Sequence, residues 1–186
     1  MKGAALIVAA GCVVAGVWWW LRRDDGEVEE MAGGGLLGEG LDIVTKATAS
    51  LWEPPAAAAP YIGMIHAAED RNGIPRNMLA RLLWQESRFR TDIITGRVKS
   101  SAGALGIAQF MPATAKELGI NPLNPAEAIP AAGRYLAGLY RRFGNWSEAL
   151  AAYNWGQGNV ARKGLASAPA ETRSYFSSIL SDLGLS

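Results

Sequence analysis

The order of apolar and polar positions divides the chain into three zones. Residues Gly3 to Leu21 form an uninterrupted apolar run, close to the roughly 20 residues that cross a hydrocarbon core about 30 Å thick. Trp18, Trp19 and Trp20 end the run, and Arg22 and Arg23 follow. Indoles followed by cations are the usual order at a membrane interface. The pattern predicts a single N-terminal transmembrane helix over residues 1–23, meeting the lipid bilayer through residues 3–21. A cleaved leader is the alternative, and Ala9-Ala10-Gly11-Cys12 vaguely resembles a lipoprotein processing site, but the apolar run continues past Cys12. Lys2 lies on one side of the run and two arginines on the other, so a count of cations leans toward a cytoplasmic C-terminal side.

Residues 24–59 read as a linker, largely flexible. The segment starts acidic (Asp24, Asp25, Glu27, Glu29, Glu30), passes through Gly33-Gly34-Gly35, and reaches Pro54-Pro55 and an alanine run that ends at Pro60. Glycine gives reach and proline gives stiffness. Leu41 to Trp52 has the pattern of a short amphipathic helix within this zone.

Over residues 60–186 the period becomes helical. Ile62, Ile65, His66 and Glu69 follow a helical spacing that stops near Asn72-Gly73. Pro75 opens a second segment with Met78, Leu79, Leu82 and Leu83 as its apolar stripe. Pro112 starts a helix that runs to about Leu118, with Gly119 as its stop. Ala131 to Phe143 places Tyr135, Leu136, Leu139 and Phe143 on one face. Trp146 to Tyr153 is ended by Gly156 and Gly158, and Glu171 to Leu183 forms the last helix. No stretch alternates as a strand would. The expectation is a compact all-α domain of about six or seven helices.

Composition then narrows the chemistry. The net charge is +1, so no basic field points to nucleic acid. One cysteine and one histidine, Cys12 and His66, exclude an internal disulfide and argue against a zinc site or a Cys–His nucleophile. Chemistry is left to carboxylates, hydroxyls, amides and aromatic rings, which favours acid–base work with no cofactor and no metal.

Glu86 is the leading candidate. It ends a helix whose preceding residues are leucines and Trp84, and a carboxyl in apolar, aromatic surroundings has its charged form disfavoured. A proton held near neutral pH is what a departing glycosidic oxygen needs. A lone Glu in that position is more often a solvated surface residue, so three further segments matter. Ser100 to Ala115 is rich in small residues that admit close approach of backbone to ligand; Ser100 and Gln109 offer hydrogen bonds suited to sugars, and Met111 an adaptable apolar contact. Tyr153 and Asn154 end a helix at a glycine-rich turn. Glu171-Thr172-Arg173-Ser174-Tyr175 closes the set.

In that order, Glu86-Ser87, Gly106 through Ala115, Ala152-Tyr153-Asn154 with Gly156, and Glu171-Thr172-Arg173 with Tyr175 resemble the lysozyme-like lytic transglycosylases, specifically the soluble-lytic-transglycosylase type of catalytic domain. Ala132-Gly133-Arg134-Tyr135-Leu136 and Arg142-Phe143-Gly144 resemble it as well. The resemblance implies a lysozyme-like helical domain with a deep substrate cleft. It implies Glu86 as catalytic acid and base, Ser100 and Gln109 as contacts near the cleavage point, and Met111, Tyr153, Asn154 and Tyr175 as cleft-lining positions. Ser87 would support Glu86. The departures are Ala108 where the family often has Met, Trp155 where it often has a small residue, and a longer loop before Ser100.

The implied reaction cuts the N-acetylmuramic acid to N-acetylglucosamine β-1,4 bond of peptidoglycan glycan strands and leaves a 1,6-anhydromuramoyl end. Two rivals stand beside it. A goose-type lysozyme-like hydrolase of the same bond would want a second carboxylate, for which Asp70 and Asp92 are the nearby candidates. A non-catalytic wall-binding membrane protein would keep the cleft without the chemistry. The expected setting is a single-pass membrane protein with its catalytic domain facing peptidoglycan, the orientation opposite to the one the cation count favours, in a phage virion membrane where that rule binds less or beside the proteins of a cell-envelope complex.

Overall fold

A computed structural model describes residues 52–185. Eight α-helices lie among these residues, and no strand; a lone antiparallel bridge joins Leu105 and Phe110. The expected membrane helix over residues 1–23 and the expected linker up to Leu51 lie outside the described residues. Among the described residues no helix is long and apolar enough to cross a membrane.

Helix α1 (Ile62–Asn72) ends at Gly73, whose φ of 65° is left-handed and whose amide closes on the Glu69 carbonyl, as the Asn-Gly pair predicts. Helix α2 (Met78–Ser87) starts later than Pro75 suggests, because Pro75 belongs to a turn closed by the Met78 amide on its carbonyl at 3.1 Å. Asn77 precedes α2 with φ 66° and gives it no side-chain cap. Glu69 of α1 takes over that task. Its carboxylate accepts from the amides of Asn77, Leu79 and Ala80 at 3.1, 3.0 and 3.4 Å, which satisfies amides that a helix start leaves unpaired.

Helix α3 (Thr91–Ile94) is a single turn. Helix α4 (Pro112–Leu118) has the predicted bounds, with Gly119 left-handed behind it. Helix α5 (Pro125–Phe143) begins well before the expected Ala131, since Asn124 caps Ala126 and the helix runs on through Pro130. Helix α6 (Trp146–Trp155) extends past Tyr153. Helix α7 (Gln157–Lys163) was not expected, because Gly156 and Gly158 read as a stop; Gly158 instead lies in its first turn. Helix α8 (Ala170–Asp182) completes the set.

Helix α6 is the central packing element, lying against α5, α7 and α8; the long α5 also packs on α1, and α2 on α1 and α8. Small residues allow the close approach. Ala128, Ala131, Ala132 and Ala137 of α5 are buried, and a Cβ on Gly133 would come 3.1 Å from the Ala68 methyl. Ile65, Met78, Leu79, Leu82, Leu83, Ile129, Leu136, Leu150 and Ile179 form the buried apolar interior. The packed surface extends back to Trp52, which lies against this core and whose amide donates to the Asp182 carbonyl at 3.1 Å. A 3-10 turn at Ala56–Ala58 buries Ala58.

Candidate active site

The apolar stripe of α2 holds that helix inside the fold on nearly all sides, and Glu86 is its penultimate residue. Glu86 as a whole is 5% exposed. Two things end the helix there. Ser87 turns inward, donating from Oγ to the Leu83 carbonyl at 3.1 Å and accepting from the Phe89 amide at 3.2 Å. Arg88 and Phe89 then take left-handed φ angles of 51° and 53°, a conformation non-glycine residues adopt at a cost. Ser87 thus helps fix the chain path just after Glu86.

Glu86 Oε1 accepts a 2.6 Å hydrogen bond from the Tyr175 hydroxyl of α8, which is itself buried. Burial pushes the Glu86 carboxyl up to about 8, and the Tyr175 bond opposes part of that rise. Charge removed from water destabilises the ionised form, so the group keeps its proton into neutral pH. The Tyr175 phenol is pushed well up, by burial first and by the facing Glu86 next. Tyr153 of α6 responds to the same carboxyl: burial and then Glu86 raise its phenol.

Tyr153 links this pair to the loop between α3 and α4. Its hydroxyl donates to the Ala108 carbonyl at 3.0 Å. Its ring lies 6.0 Å from Phe110 and 5.6 Å from Tyr135, edge-on to the latter. The loop is closed on itself by reciprocal Leu105 and Phe110 backbone bonds. Within it Gln109 is left-handed at φ 47° and donates from Nε2 to the Gly106 carbonyl at 2.8 Å. Ser100 starts the loop by accepting the Ala104 amide at 2.8 Å. Met111 is half-buried and leads into Pro112.

The structure therefore brings Glu86, Tyr175 and Tyr153 together and joins the Gln109 and Met111 loop to them through Ala108. It gives Asn154 an internal partner: its Oδ1 accepts from the buried Thr172 hydroxyl at 2.9 Å, tying α6 to α8. The sequence offered Thr172 only as part of its motif and Ala108 only as a departure, with no role for either. Arg173 donates to the Ala168 carbonyl, so Thr172 and Arg173 both fix the start of α8 that delivers Tyr175. Asp92 and Asp70 are engaged elsewhere. Arg90 sits on Asp92 at 2.8 Å and holds its carboxyl below the usual range, and Arg76 pairs with Asp70 at 2.9 Å. Among the described residues no three His, Cys, Asp or Glu side chains converge as a metal ion would need. A separate groove of about 400 Å³, lined by Glu53, Pro54, His66 and Arg76 among others, does not include Glu86.

Residues 63–176 match the family described as transglycosylase SLT domain, more than half of the chain. The chain belongs to that family. The chain is 37% identical over 137 residues to the protein named peptidoglycan transglycosylase gp16 of Escherichia phage T7, a match covering 64% of this chain and 10% of that protein. It is 37% identical over 90 residues to the transglycosylase of Enterobacteria phage PRD1, covering 48% of this chain and 32% of the other. It is 34% identical over 105 residues to membrane-bound lytic murein transglycosylase F of Desulfosudis oleivorans, covering 52% and 22%. The chain spans no more than 32% of the length of any of these three relatives. All the candidate site residues, Glu86 to Tyr175, fall within the SLT match, whereas Trp52 and Asp182 lie outside it.

Proposed function

We propose that this domain is a peptidoglycan lytic transglycosylase in which one carboxyl, Glu86, acts first as acid and then as base. The observation that carries this reading is the Glu86 carboxyl itself, buried, raised to about 8 and held by Tyr175. At neutral pH it carries the proton that the first step consumes. Glu86 gives that proton to the glycosidic oxygen between N-acetylmuramic acid and N-acetylglucosamine, and the bond from the muramoyl C1 to that oxygen breaks. The substrate's acetamido group stabilises the cationic centre. The muramoyl O6 bonds to C1, and its proton passes to the Glu86 carboxylate. The acid is regenerated, no water is consumed, and the product ends in a 1,6-anhydro ring.

The family membership and the names of the three relatives support this reaction. The pairing of Asp92 with Arg90 speaks against that residue as the second carboxylate of a goose-type hydrolase, since its charge is already engaged. Tyr153, Gln109 and Met111 are proposed substrate contacts. Ser100 and Asn154 are proposed to act through the shape of the loop and the α6–α8 junction. For setting, we propose local opening of the wall by a phage, which two phage relatives support, with the apolar run over residues 3–21 as the bilayer anchor. Mass spectrometry of digested peptidoglycan decides the reaction: anhydromuramoyl ends are expected, and reducing ends alone would replace the transglycosylase with a hydrolase.

A further inference from the structure

We propose that Arg81, clasped between Asp182 and Trp52, is a positioning residue that fixes α8 against α2 in the register where Tyr175 meets Glu86. This rests on Glu86 being the acid of the proposed reaction. Two cross-links join these helices. Near one end the Tyr175 hydroxyl donates to Glu86. At the other, Arg81 Nε donates to Asp182 Oδ2 at 2.7 Å. Passing from Glu86 back to Arg81 on α2 leads forward from Tyr175 to Asp182 on α8, so the helices run antiparallel. The cross-links are about 7.5 Å apart along α2 and about 10.5 Å along α8. Two such ties forbid the sliding that one would allow.

The second tie is built to hold. Arg81 is 7% exposed, and a buried guanidinium is tolerated only with its donors satisfied. Besides Asp182 it donates from Nη1 to Gln85 Oε1 at 2.6 Å, the residue beside Glu86. Its Cζ lies 5.8 Å from the centre of the Trp52 ring, near the limit for a cation over an aromatic face. The Trp52 amide in turn donates to the Asp182 carbonyl at 3.1 Å. Trp52 and Asp182 both lie outside the SLT match, so the catalytic contact is held partly by residues that the family domain does not include. Tyr175 is faced by Glu86 and Arg81 from α2 and by Tyr153 from α6.

The test uses the full chain with Asp182→Asn, Arg81→Met and Trp52→Ala, with Asp182→Glu as the conservative control. Peptidoglycan turnover is followed from pH 5 to 10, thermal unfolding at the same pH values, and the Glu86 carboxyl carbon by 13C NMR titration. Asp182→Asn is expected to lower turnover about 10-fold, the scale of one charge-assisted hydrogen bond. It is also expected to move the Glu86 titration and the basic limb to higher pH, since the Tyr175 bond that holds Glu86 down is lost. Asp182→Glu restores both. Arg81→Met combined with Asp182→Asn is expected to be no worse than either alone. Asp182→Asn keeps an acceptor oxygen for the Arg81 donor, and the Asp182 side chain is 39% exposed, so this variant folds even where Arg81→Met does not. Turnover that falls only with the folded fraction, beside an unmoved Glu86 titration, would overturn the proposal. Failure of the unaltered chain to degrade peptidoglycan overturns the proposed activity instead, and the titration still judges Arg81.

Discussion

Between pH 4.5 and about 8 the Glu86 carboxyl is ionised in an unfolded chain and protonated in the folded one. The unfolded state then binds fewer protons, so stability falls as pH rises through that window and levels off above it. At 1.36 kcal/mol per unit the full loss is about 5 kcal/mol. Glu86→Gln removes the ionisation and keeps the shape. It is expected to abolish turnover while raising the unfolding temperature at pH 9, with the gain shrinking toward pH 4.5; thermal scans at both pH values check this. Turnover itself is expected to drop above about pH 8 as Glu86 loses its proton, which a pH–rate profile reads directly. Thr172→Val leaves Asn154 Oδ1 buried without its donor, and is expected to cost about 1–3 kcal/mol in denaturant unfolding. Glu86 was legible in the sequence because it ends an apolar helix and heads an ordered set of motifs. Its bond to Tyr175 was not, because that partner is 89 residues away. Asn154 was expected at a cleft edge; which atom it turns toward Thr172 is a matter of three-dimensional packing that no local pattern encodes.

Among the elements, those with chemical punctuation were the readable ones. Asn72-Gly73 and Gly119 stop α1 and α4 where the left-handed turn requires it. The start of α5 was hidden because Pro130 reads as a boundary. A proline in the second turn removes one amide and still permits the helix when Asn124 and Pro125 have already set its start. The late start of α2 was hidden for a different reason: its cap, Glu69, belongs to another helix. The loop before α4 is held just as much from outside. Gly106 has φ 73°, and a Cβ there would fall 1.8 Å from the Pro122 carbonyl oxygen. Gly106→Ala therefore forces that backbone contact apart as well as straining its own φ, and is expected to destabilise by about 3 kcal/mol or more and to remove turnover. Chemical denaturation with an activity assay at low temperature separates the two effects.

For the whole molecule, the all-α architecture was accessible from helical period and the absence of alternation, and the interior followed from the leucine and isoleucine stripes. The inward reach of the chain to Trp52 was not accessible, since Pro54-Pro55 and the alanines around them read as linker. A fragment beginning at residue 58 discards Trp52 and its bond to Asp182. It is expected to unfold several degrees below a fragment beginning at residue 50, by differential scanning calorimetry. The proposed anchor is tested on the same scale: the full chain is expected to float with liposomes in a density gradient and the fragment beginning at residue 50 to remain in solution.

The contact between Tyr175 and Glu86 also has a consequence in time. Glu69 caps α2 across a separation of about ten residues, so that the α1–α2 pair is closed by a short loop at little entropic cost. The bond to Tyr175 closes 89 residues, and contacts of long sequence separation are reached slowly. During synthesis Glu86 leaves the ribosome long before α8 exists. Until α8 docks, its carboxyl is an ordinary, hydrated one without the proton that cleavage needs. The buried, protonated state of Glu86 on which the proposed reaction depends is thus among the last properties the chain acquires as it folds.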